Sequence, residues 1–314
     1  MQILIPRSSS PQGGHLVIMF GIGLIGTAIR DSLFDLEFES VAIIDFDWQD
    51  AEKRTSAFAS IASVCVEHTQ HGGYLSFVWS AGRAGFHTSE EDALAESASF
   101  VDTIDFVLKL RETIDSVKVK IHFISSAGGL FEGQRVVTEN SIPDPVRPYG
   151  KLKLAQEQLL EKAFGPYEFA IYRPSSVYGP MLPKTQQGLI NNLIINSRIG
   201  RVTVLDAHIM ALRDYVYAGD IGTFIAKQIK SGGGIEDTGP IHFLVSSRCT
   251  SIFEVVHKIE RILKIIIRLR YDESYGNASN ITFSDGVLPT DWSPAALDVG
   301  VRQFLVGDAA VLTN

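Results

Sequence analysis

Tyr149 and Lys153 stand four residues apart at the head of a helix-like run, YGKLKLAQEQLLEKAF, and a Ser125-Ser126 pair closes the apolar run VKIHFISS shortly before them. Residues at i and i+4 lie over one another on one helix face. An ammonium fixed beside a phenol favours the phenolate, lowering a pKa that starts near ~10. A serine hydroxyl converging on the same point can hold a substrate oxygen. Together these groups make a general base, its activator and a hydrogen-bonding partner, a set suited to removing a proton from an alcohol. The chain has nine tyrosines, so a solvated helix face could carry the same spacing by chance. Its meaning therefore depends on the elements around it.

A second constellation lies upstream. Gly21-Ile22-Gly23-Leu24-Ile25-Gly26 falls between an apolar strand-like run and a helix-like one, the context in which a glycine fingerprint binds a dinucleotide. Glycines let the backbone turn tightly and approach a pyrophosphate, whose charge meets the helix N-terminus at Leu24 and Ile25. Asp45 follows nineteen residues after Gly26, at the end of the next strand-like run, with Asp47 as the alternative. A carboxylate there accepts bonds from both ribose hydroxyls and repels a 2′-phosphate, which favours NAD over NADP.

The chain alternates between the elements that would carry these residues. Apolar strands are expected at 15–21, 40–48, 74–82, 117–126 and 168–179. Helices are expected to about 34, from about 49 to 62, over 89–115 with Ser89 as N-cap, and over the Tyr149 segment. Strands that are apolar on both faces and alternate with helices mean a parallel sheet covered on both sides. The expected fold is α/β, a Rossmann-type doubly wound parallel sheet with a smaller C-terminal substrate lobe. Residues 1–14 read as a loose extension and 15–179 as the dinucleotide-binding domain, with 213–247 returning to it. Residues 180–212 and 248–314 then form the lobe, with helices in GLINNLIINSRIG and SIFEVVHKIERILKI and an irregular remainder.

Composition narrows the function classes. The chain has 314 residues, 45% of them apolar, and a net charge of −8, which argues against nucleic acid as its main partner. Two cysteines far apart, Cys65 and Cys249, read as reduced thiols of a cytoplasmic protein. The sequons at Asn277 and Asn280 then carry no weight. No CxxC occurs, and His68-x-x-His71 lacks supporting ligands, so no metal is expected. The apolar stretch at 16–29 is too short to span a bilayer.

Several segments in order are similar to the extended short-chain dehydrogenase/reductase family, in its nucleotide-sugar epimerase/dehydratase branch. They are ISSAGGLFEG (124–133), SIPDPVRPYGKLKLAQEQLL (141–160), YRPSSVYGP (172–180), RDYVYAGD (213–220) and TDWSPAALDVGVRQFL (290–305). The resemblance spans nearly the whole chain from His15. It implies Tyr149 as catalytic acid/base, Lys153 as the group that lowers its pKa and binds the nicotinamide ribose, and Ser126 bonding the reacting oxygen, with Ser125 next to it. Ser80, Ala81, Gly82 and Ser175 would line the cofactor. Ser176, Asn192, Leu193 and Arg213 would meet a nucleotide sugar, Arg213 at its diphosphate. A homodimer is also implied, pairing the helices of 89–115 and 149–164, whose faces with Ala98, Val101, Ile104 and Leu108 are apolar enough for that or equally for core against the sheet.

The chain departs from the family pattern in places. Phe20 stands where the first glycine is usual, Ser176 where an Asn is, and YDESYGNASNITFSD lacks the later substrate arginine. VCVEHTQHGG has no clear counterpart of the acid that meets adenine. Dehydratases of the branch carry Thr-Asp-Glu beside the serine, and decarboxylating relatives carry a Glu there. This chain has Ala127-Gly128-Gly129, with Glu132 further along, and Met181 where a second proton-transfer His would sit. The resemblance therefore implies oxidation and reduction at one carbon, with C4 epimerisation first. The alternatives are a one-way ketosugar reductase or dehydrogenase and a non-catalytic NAD-binding sensor.

Overall fold

The structure, a computed structural model, describes residues 1–7, 14–48, 50–70, 72–82, 84–86, 88–114, 117–180, 188–205, 207–232, 239–272 and 280–312, with side chains to 306. The opening elements are β1 (Gln2–Pro6), β2 (His15–Phe20), α1 (Leu24–Asp35), β3 (Phe38–Ile43), α2 (Ala51–His68), β4 (Gly73–Trp79) and α3 (Glu90–Thr113). They are followed by β5 (Val117–Ile124), α4 (Ala127–Leu130), β6 (Val136–Val137), α5 (Pro148–Ala163), β7 (Phe169–Pro174) and β8 (Ser176–Tyr178). Next come α6 (Leu189–Arg198), β9 (Thr203–Leu205), β10 (Leu212–Arg213), β11 (Tyr215–Tyr217), α7 (Ala218–Lys230) and β12 (Ile241–Leu244). The chain closes with β13 (Thr250–Ser251), α8 (Ile252–Leu263), β14 (Leu269–Tyr271), β15 (Thr282–Phe283) and α9 (Leu297–Leu312).

A seven-stranded sheet runs in the order β12-β7-β5-β4-β2-β1-β3. From β2 to β12 every pairing is parallel. On one face α2, α3 and α5 bury Ile61, Cys65, Phe100, Ile104, Val107 and Leu160 against the sheet. On the other, α1 and α7 bury Ile29, Leu33, Ile221, Phe224 and Ile225. This is the doubly wound arrangement that strands apolar on both faces require. A further cluster joins Leu193 and Ile194 of α6, Val255 and Ile259 of α8, and Val301 and Phe304 of α9.

The N-terminal residues differ from the expected loose extension. Gln2–Pro6 is a strand that pairs antiparallel with both β2 and β3, so it lies between them. Ile3 and Leu4 are adjacent in sequence and both fully buried, one toward each face of the sheet. Residues 8–13 lie outside the described residues.

The expected strand at 40–48 is also shifted, since β3 ends at Ile43 and 44–48 leave the sheet. In IDFDW the apolar and acidic residues alternate. Phe46 and Trp48 fold back onto Phe20, with ring centroids 5.5 and 6.4 Å away, and Trp48 meets Trp79 edge to face at 5.1 Å. Aromatic burial over the ends of β2 and β4 outweighs continued strand pairing.

Helix α2 runs six residues beyond the expected end, because Cys65 is buried on the same face as Ile61. Ser89 caps α3 as expected, accepting from the Asp92 N–H at 3.1 Å. The chain after residue 290 is not wholly irregular: Leu297, Val301 and Phe304 recur at helical spacing and bury one side of α9. Of the helix residues expected at a dimer face, Ile104 lies in the core, whereas Ala98 and Val101 face outward and Leu108 is half-buried. Among the described residues no helix is long and apolar enough to cross a membrane.

Candidate active site

The glycine turn follows β2 directly. Gly21 has φ of 89°, the left-handed region that favours glycine, and a Cβ there would lie 2.5 Å from the Ala81 backbone. A Cβ on Gly26 would lie 2.2 Å from the Gly21 carbonyl oxygen. These two contacts force the turn tight against the end of β4. The Ser80 hydroxyl fastens it, donating to the Gly21 carbonyl at 2.7 Å. A Cβ on Gly23, by contrast, would meet nothing within 4 Å.

Gly23 is the N-cap of α1, and no side chain caps that end or places an acid in its first turn. The amides of that turn have no intrahelical acceptors and sit at the positive end of the helix dipole. This donor set fits a diphosphate. Leu24 and Ile25 would supply those N–H groups.

β1 occupies the slot beside β2, so β3 lies one strand further out. Asp45 lies past the end of β3, in the segment that folds back onto Phe20, and is exposed close to the Met1 amine, which donates to the Ile44 carbonyl at 3.1 Å. Asp47 pairs with Lys53 at 3.1 Å. The turn thus fits the diphosphate of a dinucleotide.

The second half of the site lies beyond β5, also at the carboxyl ends of the parallel strands, where open α/β sheets hold their ligands. Ser126 caps the short helix α4 by accepting from the Gly129 N–H at 3.1 Å, and its hydroxyl is close enough to Tyr149 to lower the phenol's pKa. Pro148 at the first position of α5 brings Tyr149 in immediately. A Cβ on Gly129 would lie 3.0 Å from the Tyr149 ring, so glycine at 129 is what lets the ring lie against α4.

Lys153 is buried one turn on, its Nζ 5.2 Å above the Phe123 ring and 3.7 Å from a Glu96 carboxylate oxygen. Burial lowers the Lys153 pKa, opposed by Glu96 and Glu157. Burial raises the Tyr149 phenol, the Ser126 hydroxyl lowers it, and Glu96 raises it further; the net direction is up.

Other expected site residues are engaged within the fold. Ser125 donates to Glu157 at 2.5 Å, and Glu157 binds the buried Arg173 through both oxygens, at 3.0 and 2.6 Å. Ser125 is therefore turned away from Tyr149. Ser175 donates to Asp214, which also accepts from Ser246 through its N–H at 2.9 Å and its hydroxyl at 2.8 Å. Asp214 thereby binds the ends of β7 and β12 together. Ser176 is exposed.

Leu193 is fully buried in the α6–α8–α9 core, so its side chain is closed to a ligand. Asn191 exchanges hydrogen bonds with the backbone of Gly179, at 2.8 and 3.3 Å. Asn192 beside it is half-buried, as is Arg213, which donates to the Leu212 carbonyl at 2.9 Å. Ala81 is buried, and Gly82 is exposed with Glu96 beneath it. Met181, His71 and Asn277 lie outside the described residues.

Glu96, Glu157 and Asp214 were not singled out from the sequence. A signal existed for the first two. Glu157 continues the i, i+4 stripe of Tyr149 and Lys153, and Glu96 falls on the inward stripe of Ala93, Phe100 and Ile104. A charge on a buried stripe calls for a partner.

Residues 17–236 match the family model described as the NAD dependent epimerase/dehydratase family. The chain belongs to this family. No curated protein matches the chain. Among solved structures it is similar to the UDP-glucose 4-epimerase of Thermus thermophilus in complex with NAD, with 19% identity and a TM-score of 0.72 over 93% of this chain and 98% of that one. It is also similar to the ADP-L-glycero-D-manno-heptose-6-epimerase of Helicobacter pylori, with 15% identity and a TM-score of 0.71 over 97% and 99%. The UDP-glucuronic acid 4-epimerase of Bacillus cereus, in complex with UDP-glucuronic acid and NAD, gives 17% and 0.68 over 94% and 99%. At these identities the likeness establishes a shared Rossmann-like fold. Among the described residues no group of three His, Cys, Asp or Glu could hold a metal ion.

Proposed function

We propose that the chain is an NAD-dependent enzyme of this family that inverts C4 of a nucleotide sugar by oxidation and reduction at that carbon. The observation that carries this reading is the packing of the Tyr149 ring against Gly129, whose N–H the Ser126 hydroxyl accepts, at the carboxyl edge of the sheet on the same side as the uncapped start of α1. Bound there, the nicotinamide would accept a hydride and give it back. Ser126 would orient the reacting oxygen, and Tyr149 would take its proton and later return it. Leu24 and Ile25 would hold the diphosphate through their amides, and Arg213 the diphosphate of the substrate.

The absence of a second acid beside Ser126 favours plain hydride transfer over dehydration. Glu132 forms an ion pair with Arg147 at 2.8 Å, so it is engaged away from that role. The family and the 4-epimerases of similar fold make C4 of a UDP-sugar the first choice. An exposed Asp45 past the end of β3 would favour NAD over NADP by repelling a 2′-phosphate. One-way ketosugar reduction is the second reading.

Incubating the chain with a panel of UDP-sugars tests both. We expect C4 inversion by NMR without net consumption of added NADH. Stoichiometric NADH consumption with a keto-sugar sinks the epimerase reading, and no turnover with either class sinks both. For assembly, Ala98, Val101 and the exposed Leu94 leave α3 an outward apolar face. We expect light scattering to give twice the chain mass of 34.5 kDa, and a single-chain mass would rule out the homodimer.

A further inference from the structure

Three histidines lie on the sheet face that α1 and α7 cover. His15 opens β2, His122 lies within β5, and His242 is the second residue of β12. His15 Nε2 is hydrogen-bonded to the Ser76 hydroxyl of β4 at 2.9 Å, and His122 Nδ1 to the Tyr172 hydroxyl of β7 at 2.9 Å. The Tyr172 ring stands between His122 and His242, with ring centroids 6.0 and 5.5 Å away. Phe224 of α7 closes over His242 edge to face at 5.9 Å. His122 is 1% and His242 6% exposed, and His15 is half-buried.

Nothing on this face supplies a counter-charge. Alternation along β5 puts a cation there, Lys120, two residues from His122 and on the side of Ile124. The buried residues of α1 and α7 are apolar or glycine. On α1, Arg30 pairs with Asp31 at 2.7 Å and Asp35 is exposed, as is Glu37 beyond it. On α7, Asp220 accepts from the Ala295 N–H at 2.8 Å, Lys227 is exposed, and Lys230 donates to the Leu36 carbonyl at 3.5 Å. Lys118 lies outermost on β5, 5.5 Å from the Tyr74 ring centre, and Glu168 before β7 binds Arg111 at 2.9 Å. Among the described residues no carboxylate acts on any of the three histidines. A buried imidazolium without a partner is costly, so all three are neutral in the fold. Burial takes His15 to about 4, and burial with Lys120 takes His242 to about 4. His122 lies well below the usual range through burial, Lys120 and the other two histidines.

We propose that the three histidines form an acid-sensitive latch on the α1/α7 layer. Neutral, they let both helices seal that face of the sheet; protonated, they repel one another and Lys120 and unseat it. Histidines of the unfolded chain take up protons near ~6.5, whereas the fold excludes them until lower pH. The stabilisation is therefore complete above that pH and is lost as pH falls toward about 4. The layer also carries the site. α1 begins at the glycine turn, and α7 continues directly from the strand Tyr215–Tyr217 that follows Arg213. Mild acid thus loosens both ligand-holding ends together, whatever reaction they serve.

Thermal unfolding of the full chain, followed by circular dichroism between pH 7 and pH 5, tests the latch without substrate or cofactor. Three histidines that titrate this way should lower Tm by about 10 °C over that range. The triple variant His15→Gln, His122→Gln, His242→Gln keeps hydrogen-bonding side chains and carries no charge there, so it should lose less than half as much. A variant that loses half as much or more overturns the proposal, as does a parent Tm constant within about 2 °C. Should the triple variant not fold, the histidine ring resonances of the parent decide. The chain has eight histidines, and these three should stay neutral down to pH 5 while exposed ones titrate near ~6.5. Fewer than three neutral histidines at pH 5 overturns the latch.

Discussion

Tyr149→Phe is expected to lower turnover by about 10²–10⁴-fold, the usual contribution of a positioned acid/base. The substitution removes one oxygen and leaves the ring. That ring packs against Gly129, where a Cβ would be 3.0 Å away, and faces Phe86 at 6.4 Å. What is lost from the fold is at most one side-chain hydrogen bond, worth about 1 kcal/mol, so Tm should stay within about 4 °C of the parent. Cofactor affinity should also hold, because the α1 amides are untouched. The discriminating pattern is therefore lost turnover with stability and cofactor binding retained. Activity within tenfold of the parent would sink every catalytic account of this site and leave a dinucleotide-binding sensor.

The parts of this site that could be read from the sequence are those fixed by local pattern. β2, β4, β5 and β7 announce themselves because a strand buried on both faces must be apolar throughout, and the glycine turn because a positive φ and a Cβ only 2.5 Å from the Ala81 backbone both favour glycine at 21. The four-residue step from Tyr149 to Lys153 likewise survives as a helix stripe. What could not be read is set by long-range pairing. Nothing within Gln2–Pro6 says that it pairs between β2 and β3, since strand formation depends on the neighbours a segment finds. That insertion puts β3 one strand further from β2 than the expected order.

Side-chain partners were hidden for a related reason. Ser125 and Ser126 are equivalent as letters, but Ser125 meets Glu157, two turns into α5, whereas Ser126 caps α4 beside Tyr149 at the start of α5. Glu96 is fifty-seven residues from Lys153, and only packing of α3 against α5 brings the two side chains together.

Glu157→Ala is expected to cost about 3–5 kcal/mol of stability, the largest effect of any single substitution outside the reacting groups. Glu157 and Arg173 have side chains only 2% and 8% exposed, and the guanidinium lies between the Phe131 and Phe243 rings, 5.6 and 5.3 Å from their centres. Removing the carboxylate leaves that cation buried with no counter-charge and leaves Ser125 without its acceptor. For a chain of this size Tm should fall on the order of 10 °C. The double variant Glu157→Leu with Arg173→Met separates the causes. If the cost is an orphaned charge, replacing both partners with apolar groups recovers most of it, whereas a cavity would persist. The pair also ties α5 to β7 one turn beyond Lys153, so the single variant should lose turnover before it unfolds, as Ser126 and Tyr149 drift apart. A Tm within about 2 °C of the parent in Glu157→Ala would mean that Arg173 reaches water, and the account of a sealed ion pair beneath the site would be wrong.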